Sequence, residues 1–119
     1  MDKKYTFSDL VAIIETLRGE NGCPWDKEQT HKSLRQSVLE EAYETAEAID
    51  NEDSKNLCEE LGDMLLQVML HSQIAKENNE FTIDDVIHGI AAKMVYRHPH
   101  IFGSETVEDS KEVLDNWDK

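Results

Sequence analysis

Two acidic clusters carry the clearest chemistry in this chain: Glu40-Glu41-Ala42-Tyr43-Glu44 and, further on, Glu59-Glu60-Leu61-Gly62-Asp63. Glu41 and Glu44 are three residues apart, as are Glu60 and Asp63. On helices each pair projects side by side from one face. Two such helices packed together bring four carboxylates to one point. Hard oxygen ligands at that density suit Mg²⁺ better than a softer metal.

The elements that must position these groups can be read from apolar spacing. A helix is expected from about Ser33 to Asp50, with Leu34, Val38, Leu39, Ala42, Ala46 and Ile49 on its apolar side. At ~100° per residue, Glu41 falls just outside that arc and Glu44 further round, with Glu40 and Glu47 toward solvent. Asn51-Glu52-Asp53 breaks the pattern, and Ser54 is the expected cap of a helix reaching about Asn78. Leu57, Leu61, Met64, Leu65, Val68, Met69 and Ala75 give that helix a wide apolar stripe, flanked by Glu60 and then Asp63. Gly62 inside it is unfavourable to a helix by about 1 kcal/mol, as if a backbone or ligand must come close. So short a connection makes the two helices antiparallel neighbours. With ~1.5 Å of rise per residue, both acidic pairs then reach nearly the same height. An acidic face is ordinarily just a solvated one; carboxylates gathered at one level repel each other unless a cation is bound.

Around this hairpin the sequence adds supporting elements. Thr6 with Asp9 forms a capping-box variant before Leu10, Ile13, Ile14 and Leu17, a short amphipathic helix stopped by Gly19. Glu20 to Asp26 reads as a loop, with Asn21-Gly22 a turn pair. Trp25 there either caps one end of the core or offers a flat surface to an aromatic ligand. Thr82 and Asp85 open a further helix through Val86, Ile87, Ile90, Ala91 and Met94, which Pro99 ends. Lys93 and Arg97 share one flank of it, suited to a salt bridge or to binding phosphate. The tail to Trp117 either forms one more short helix or lies over the surface. Glu28-x-x-His31 and Asp85-x-x-His88 fall short of a di-iron bundle, which needs two Glu-x-x-His pairs on long core helices plus two further Glu.

The totals set limits. At 119 residues the chain is expected to form one domain, residues 1–119. Five Gly and two Pro are too few for a turn-rich β fold, so the expected architecture is all-α, an antiparallel bundle of four to five helices. A net charge of −14 argues against binding nucleic acid or an anionic membrane. No apolar run reaches membrane-spanning length, and no targeting region follows Met1. Cys23 and Cys58 lack metal-motif spacing, which suggests idle or buried thiols in a cytoplasmic setting.

Glu40-Glu41-x-x-Glu44 followed by Glu60-x-x-Asp63 resembles the split acidic motif of the MazG family of nucleoside triphosphate pyrophosphohydrolases. The flanking stretches, Asn21-Gly22-Cys23-Pro24-Trp25-Asp26-Lys27-Glu28-Gln29-Thr30-His31 and Arg97-His98-Pro99-His100-Ile101-Phe102, extend the resemblance over nearly the whole chain. It implies an all-α core completed by homodimerisation or a higher homo-oligomer. It also implies hydrolysis of a nucleoside triphosphate to monophosphate and pyrophosphate. Glu41, Glu44, Glu60 and Asp63 then hold Mg²⁺, with Mn²⁺ a substitute, while Glu40 orients or deprotonates the attacking water or holds a further ion. Lys93 and Arg97 correspond to positions that contact the triphosphate, and Trp25 and His31 to positions where some relatives hold the base. Two other outcomes are compatible with the resemblance: a narrow-substrate enzyme of the dCTP, dUTP or phosphoribosyl-ATP type, and a non-catalytic helical dimer that binds nucleotide or metal.

Overall fold

The computed structural model describes residues 3–103 together with residues 111 and 113; the expected element around Trp117 lies outside them. Over residues 3–103 the helices are α1 (Phe7–Leu17), α2 (Pro24–Glu28), α3 (His31–Asp50), α4 (Ser54–Glu77), α5 (Ile83–Tyr96) and α6 (Pro99–Phe102). No strand occurs among the described residues, as the all-α expectation requires. The count exceeds four to five because α2 and α6, a single turn or little more each, start at prolines whose fixed φ and missing N–H suit a first helical position. Trp25 therefore stands on a helix where a loop was expected.

The chain divides into two compact units, the first ending at Phe81 and the second beginning at Thr82. In the first, α4 packs against both α3 and α1. Capping boxes at Thr6–Asp9 and Thr30–Ser33 start α1 and α3. The second box was not anticipated, and it moves the start of α3 back to His31. Asp53, not Ser54, caps α4 by accepting from the Asn56 N–H. Between α3 and α4, Glu52 takes a left-handed φ of 53°. Its N–H donates to the Ile49 carbonyl and that of Asp53 to the Ala48 carbonyl, the paired bonds of a Schellman motif. Three residues thus separate the two helices, the caps Asn51 and Asp53 flanking Glu52.

The buried face of α3 differs from the expected one. Leu34, Thr45 and Ala48 are buried, with Ser37 and Glu41 half-buried between them. Val38, Leu39, Ala42, Ala46 and Ile49 are exposed. Spacings of three and four residues place Leu34, Ser37, Glu41, Thr45 and Ala48 on one stripe, and its small side chains let α4 approach closely. On α4, Met69, Leu70, Ser72, Ile74 and Ala75 are buried, whereas Leu61, Met64, Leu65 and Val68 are 37–51% exposed. A broad apolar surface on the hairpin therefore faces outward in the single chain. A Cβ at Gly62 would meet nothing within 4 Å, so the expected close approach is not made by the described residues of this chain.

Arg18 ties the unit together. Its guanidinium, 6% exposed, donates from Nε and Nη2 to the Glu77 carboxylate at 2.9 and 3.0 Å. Nη1 donates to the carbonyls of Asp26 and Gln29, fixing α2 and its flank to the end of α4. In the second unit, a Thr82–Asp85 capping box opens α5, Arg97 is its C-cap and α6 packs on it.

A carboxylate cluster on the α3–α4 hairpin

Glu41 lies within the buried stripe of α3, further into the packing seam than its expected place outside the apolar arc. Oxygen atoms of Glu41, Glu60 and Asp63 lie within 4.8 Å of one another, as the equal heights along the hairpin require. Glu44 adjoins them, hydrogen-bonded to the side chains of both Glu41 and Glu60. Glu40 is exposed on the next position of α3 and adds its charge to the field at Glu41.

The electrostatics record the crowding. The Glu41 carboxyl is pushed up from the ordinary range, first by burial, then by the charges of Glu44 and Asp63. The Glu60 carboxyl is pushed up to about 7, first by its hydrogen bond with Glu44, then by burial and the neighbouring charges. Two carboxylates hydrogen-bond each other only by sharing a proton. Oε2 of Glu41 is buried and meets no donor. All-oxygen donors, shared protons where charge is surplus and an orphaned inward oxygen are what a hard divalent cation would satisfy, so the residues fit Mg²⁺ or Mn²⁺.

His31 begins α3, ten residues before Glu41, about 15 Å along the axis. Its ring stacks on His71 of α4 with centroids 5.0 Å apart, and the two Nδ1 atoms are 2.7 Å apart. Burial, then the charge of His31, holds His71 below the usual imidazole range. Trp25 is 59% exposed on α2, which removes its reading as a core cap. Lys93, on the last turn of α5, and Arg97 belong to the second unit. Cys23 and Cys58 are free, Cys58 exposed. Gln67 and His71 follow Asp63 at intervals of four on α4, a spacing that continues the same face toward His31, and each holds a buried polar atom without a hydrogen-bond partner.

Residues 29–102, spanning both acidic pairs and α5, match the MazG nucleotide pyrophosphohydrolase domain. The chain belongs to this family. It is 58% identical over 96% of its length to YabN, an uncharacterized protein of Bacillus subtilis, of which it covers 23%. It is 53% identical over 82% of its length to the nucleoside triphosphate pyrophosphohydrolase/pyrophosphatase MazG of Thermotoga maritima, covering 38% of that protein. To the nucleoside triphosphate pyrophosphohydrolase of Escherichia coli it is 45% identical over 92% of its length, covering 42%. This MazG domain thus spans less than half the length of these curated relatives. The crystal structure of a mazG-related protein from Thermotoga maritima superimposes with a TM-score of 0.74 at 30% identity, covering 93% of this chain and 95% of that one.

Proposed function

We propose that this MazG domain hydrolyses nucleoside or deoxynucleoside triphosphates to the monophosphate and pyrophosphate. The observation that carries the reading is the convergence of Glu41, Glu60 and Asp63 within 4.8 Å, with Glu44 hydrogen-bonded beside them. These four carboxylates would hold Mg²⁺, or Mn²⁺ in its place. Bound there, the ion supplies charge neutralisation to the triphosphate and acidity to a coordinated water. Glu40, exposed beside Glu41, takes the proton of the attacking water. The water oxygen bonds to the α-phosphorus, the α–β bridging bond breaks, and its electron pair leaves on pyrophosphate. Lys93 and Arg97 are assigned the triphosphate, where fixed positive charge stabilises the leaving group. Trp25 and His31 are assigned contacts to the base.

Residues 1–119 act in this reading as one MazG-like domain, cytoplasmic and without nucleic-acid or membrane partners. No helix among the described residues is long and apolar enough to cross a membrane. The outward Val38, Leu39, Leu61, Leu65 and Val68 are suited to burial against a second copy, giving a homodimer or a higher homo-oligomer. Incubation with each NTP and dNTP plus Mg²⁺, with pyrophosphate measured, tests the activity. Release of orthophosphate alone, or full activity in Glu41→Gln, refutes it; sedimentation at several concentrations tests the dimer.

A further inference from the structure

The start of α3 meets α4 through two histidine rings, His31 and His71, 40 residues apart in the chain. Their planes are parallel within 4° and their Nδ1 atoms are 2.7 Å apart. At that distance one Nδ1 carries a proton and the other accepts it. Neither two bare nitrogens nor two N–H groups can hold the contact. The outer nitrogens have different surroundings. His71 Nε2 is buried and meets no partner, whereas His31 Nε2 points toward Glu80 Oε1, 3.9 Å away. The turn that ends α4 holds Glu80 there. Asn79 takes a left-handed φ of 59°, and the Glu80 N–H donates to the Ala75 carbonyl.

Counting protons shows what the pair can do. With both rings neutral, the Glu80 carboxylate favours the proton on His31 Nε2, so His31 Nδ1 accepts from His71 Nδ1. One added proton, on either ring, still leaves one N–H and one lone pair at the contact. A second puts an N–H on each Nδ1, and two charged rings with facing donors repel. Lys32 and Arg35 of α3 border the same surface as both rings and oppose that second proton. Burial and the charge of His31, which hold His71 below the usual imidazole range, act in the same direction. Glu80 and Glu41, which shares a groove with His71, act the other way. From α1, Asp9 caps its own helix, and Glu15 and Arg18 are taken up by Lys76 and Glu77. His71 lies eight residues beyond Asp63, about 12 Å of helix rise, which sets the pair apart from the carboxylate cluster.

We propose that Glu80, His31 and His71 form a proton-operated latch on the first turn of α3, closed while the rings share a proton and open when each holds its own. The latch controls the turn from Thr30 to Leu34. There the Ser33 and Leu34 N–H groups donate to the Thr30 hydroxyl and carbonyl, and the ring contact ties that turn to α4. Leu34, 1% exposed, anchors the helix beyond it, so opening stops there. The inference does not depend on the nucleotide reading, and it makes the position of His31 a function of pH.

Nitrogen NMR of the full chain with ¹⁵N-labelled histidine, titrated from about pH 8 to about pH 4 across the imidazole range, tests this. At neutral pH, coupling between the two Nδ1 nuclei across the shared proton is expected, with His71 Nε2 bare. The rings should titrate in two separated steps that belong to the pair. The coupling survives the first step and is lost at the second. At that second step, amide exchange should show the protection of Ser33 and Leu34 falling about tenfold, the scale of one hydrogen bond to a charged group. Protection of Thr45, in mid-helix, should hold. His71→Phe should leave His31 a single titration step and remove the pH dependence of protection in the first turn. Glu80→Gln, an exposed change, should move the first step to lower pH, because a carboxylate favours the charged ring. The latch is refuted by independent titration of the two rings, by coupling that is absent at neutral pH or undiminished throughout, or by equal loss of protection at Thr45, which marks global unfolding. If His71→Phe does not fold, the Nδ1 coupling and the Glu80→Gln shift decide the matter: both present supports the latch, and either absent refutes it.

Discussion

Replacing Arg18 by Met removes a bidentate ion pair and two carbonyl contacts while keeping an aliphatic stem. Breaking a fully buried pair costs about 3–5 kcal/mol, whereas fully exposed pairs contribute about 0–1. Arg18 is 6% exposed but Glu77 is 38% exposed, so water re-solvates the abandoned carboxylate and the cost falls below the buried limit. The carbonyls of Asp26 and Gln29, bonded to the part-buried Nη1, lose a charged donor worth about 1.5–3 kcal/mol per bond when intact. A net loss of about 2–4 kcal/mol follows, or a Tm drop of about 10 °C for a chain of this size. Arg18→Lys keeps the charge without the fork and should fall between. Urea unfolding followed by circular dichroism, at matched protein concentration, gives the difference directly. Its pH dependence is a second check. Hydrogen bonds from Arg18 hold the Glu77 carboxyl below the usual range, so the pair's contribution is present above the ordinary carboxylate pKa and lost as pH falls through the lower, folded value. The gap between the unmodified protein and Arg18→Met should therefore narrow on acidification. A gap under about 0.5 kcal/mol at neutral pH, within the scatter of ordinary surface substitutions, would refute the reasoning.

Other expectations concern the carboxylates and the hairpin turn. Glu60 holds its proton up to about pH 7 in the folded chain, against an ordinary value of 4.5. The stability it contributes is complete below the ordinary value and lost as pH rises through about 7. Thermal scans in EDTA from acid to mildly alkaline pH should show that decline, and Glu60→Gln should flatten it. Glu41→Gln should raise the Tm without divalent ions by removing like-charge repulsion, yet weaken Mn²⁺ binding by calorimetry more than about tenfold. Adding EDTA to the Mg²⁺-loaded protein should lower its Tm and abolish pyrophosphate release, both restored by excess Mg²⁺. Glu52→Gly should stabilise the chain by about 1 kcal/mol in urea titration, because glycine adopts the left-handed φ of 53° without the Cβ clash.

Local rules made much of this molecule legible. Thr6–Asp9 and Thr82–Asp85 cap their helices as their spacing indicates. The equal height of Glu41 and Asp63 follows from helical rise and a tight turn alone. Which side of α3 turns inward was less accessible. Val38, Leu39 and Ile49 carry the hydrophobicity, but the helices meet along Leu34, Thr45 and Ala48, where smaller groups permit closer packing. The outward apolar residues recur at helical spacing too, so periodicity alone cannot separate them from the packed stripe. Arg18 and His71 were silent because their partners, Glu77 and His31, lie 59 and 40 residues away.

The hairpin turn has a kinetic consequence. Every carboxylate of the cluster lies between Glu41 and Asp63, joined by a turn already fixed by two backbone bonds at Glu52 and Asp53. Closing so short a loop requires little chain entropy, and local contacts form early in folding. The cluster can thus assemble with the hairpin, before α1 and Arg18 dock. A divalent ion present during refolding would bind that early species and speed folding itself, beyond slowing the loss of the finished structure.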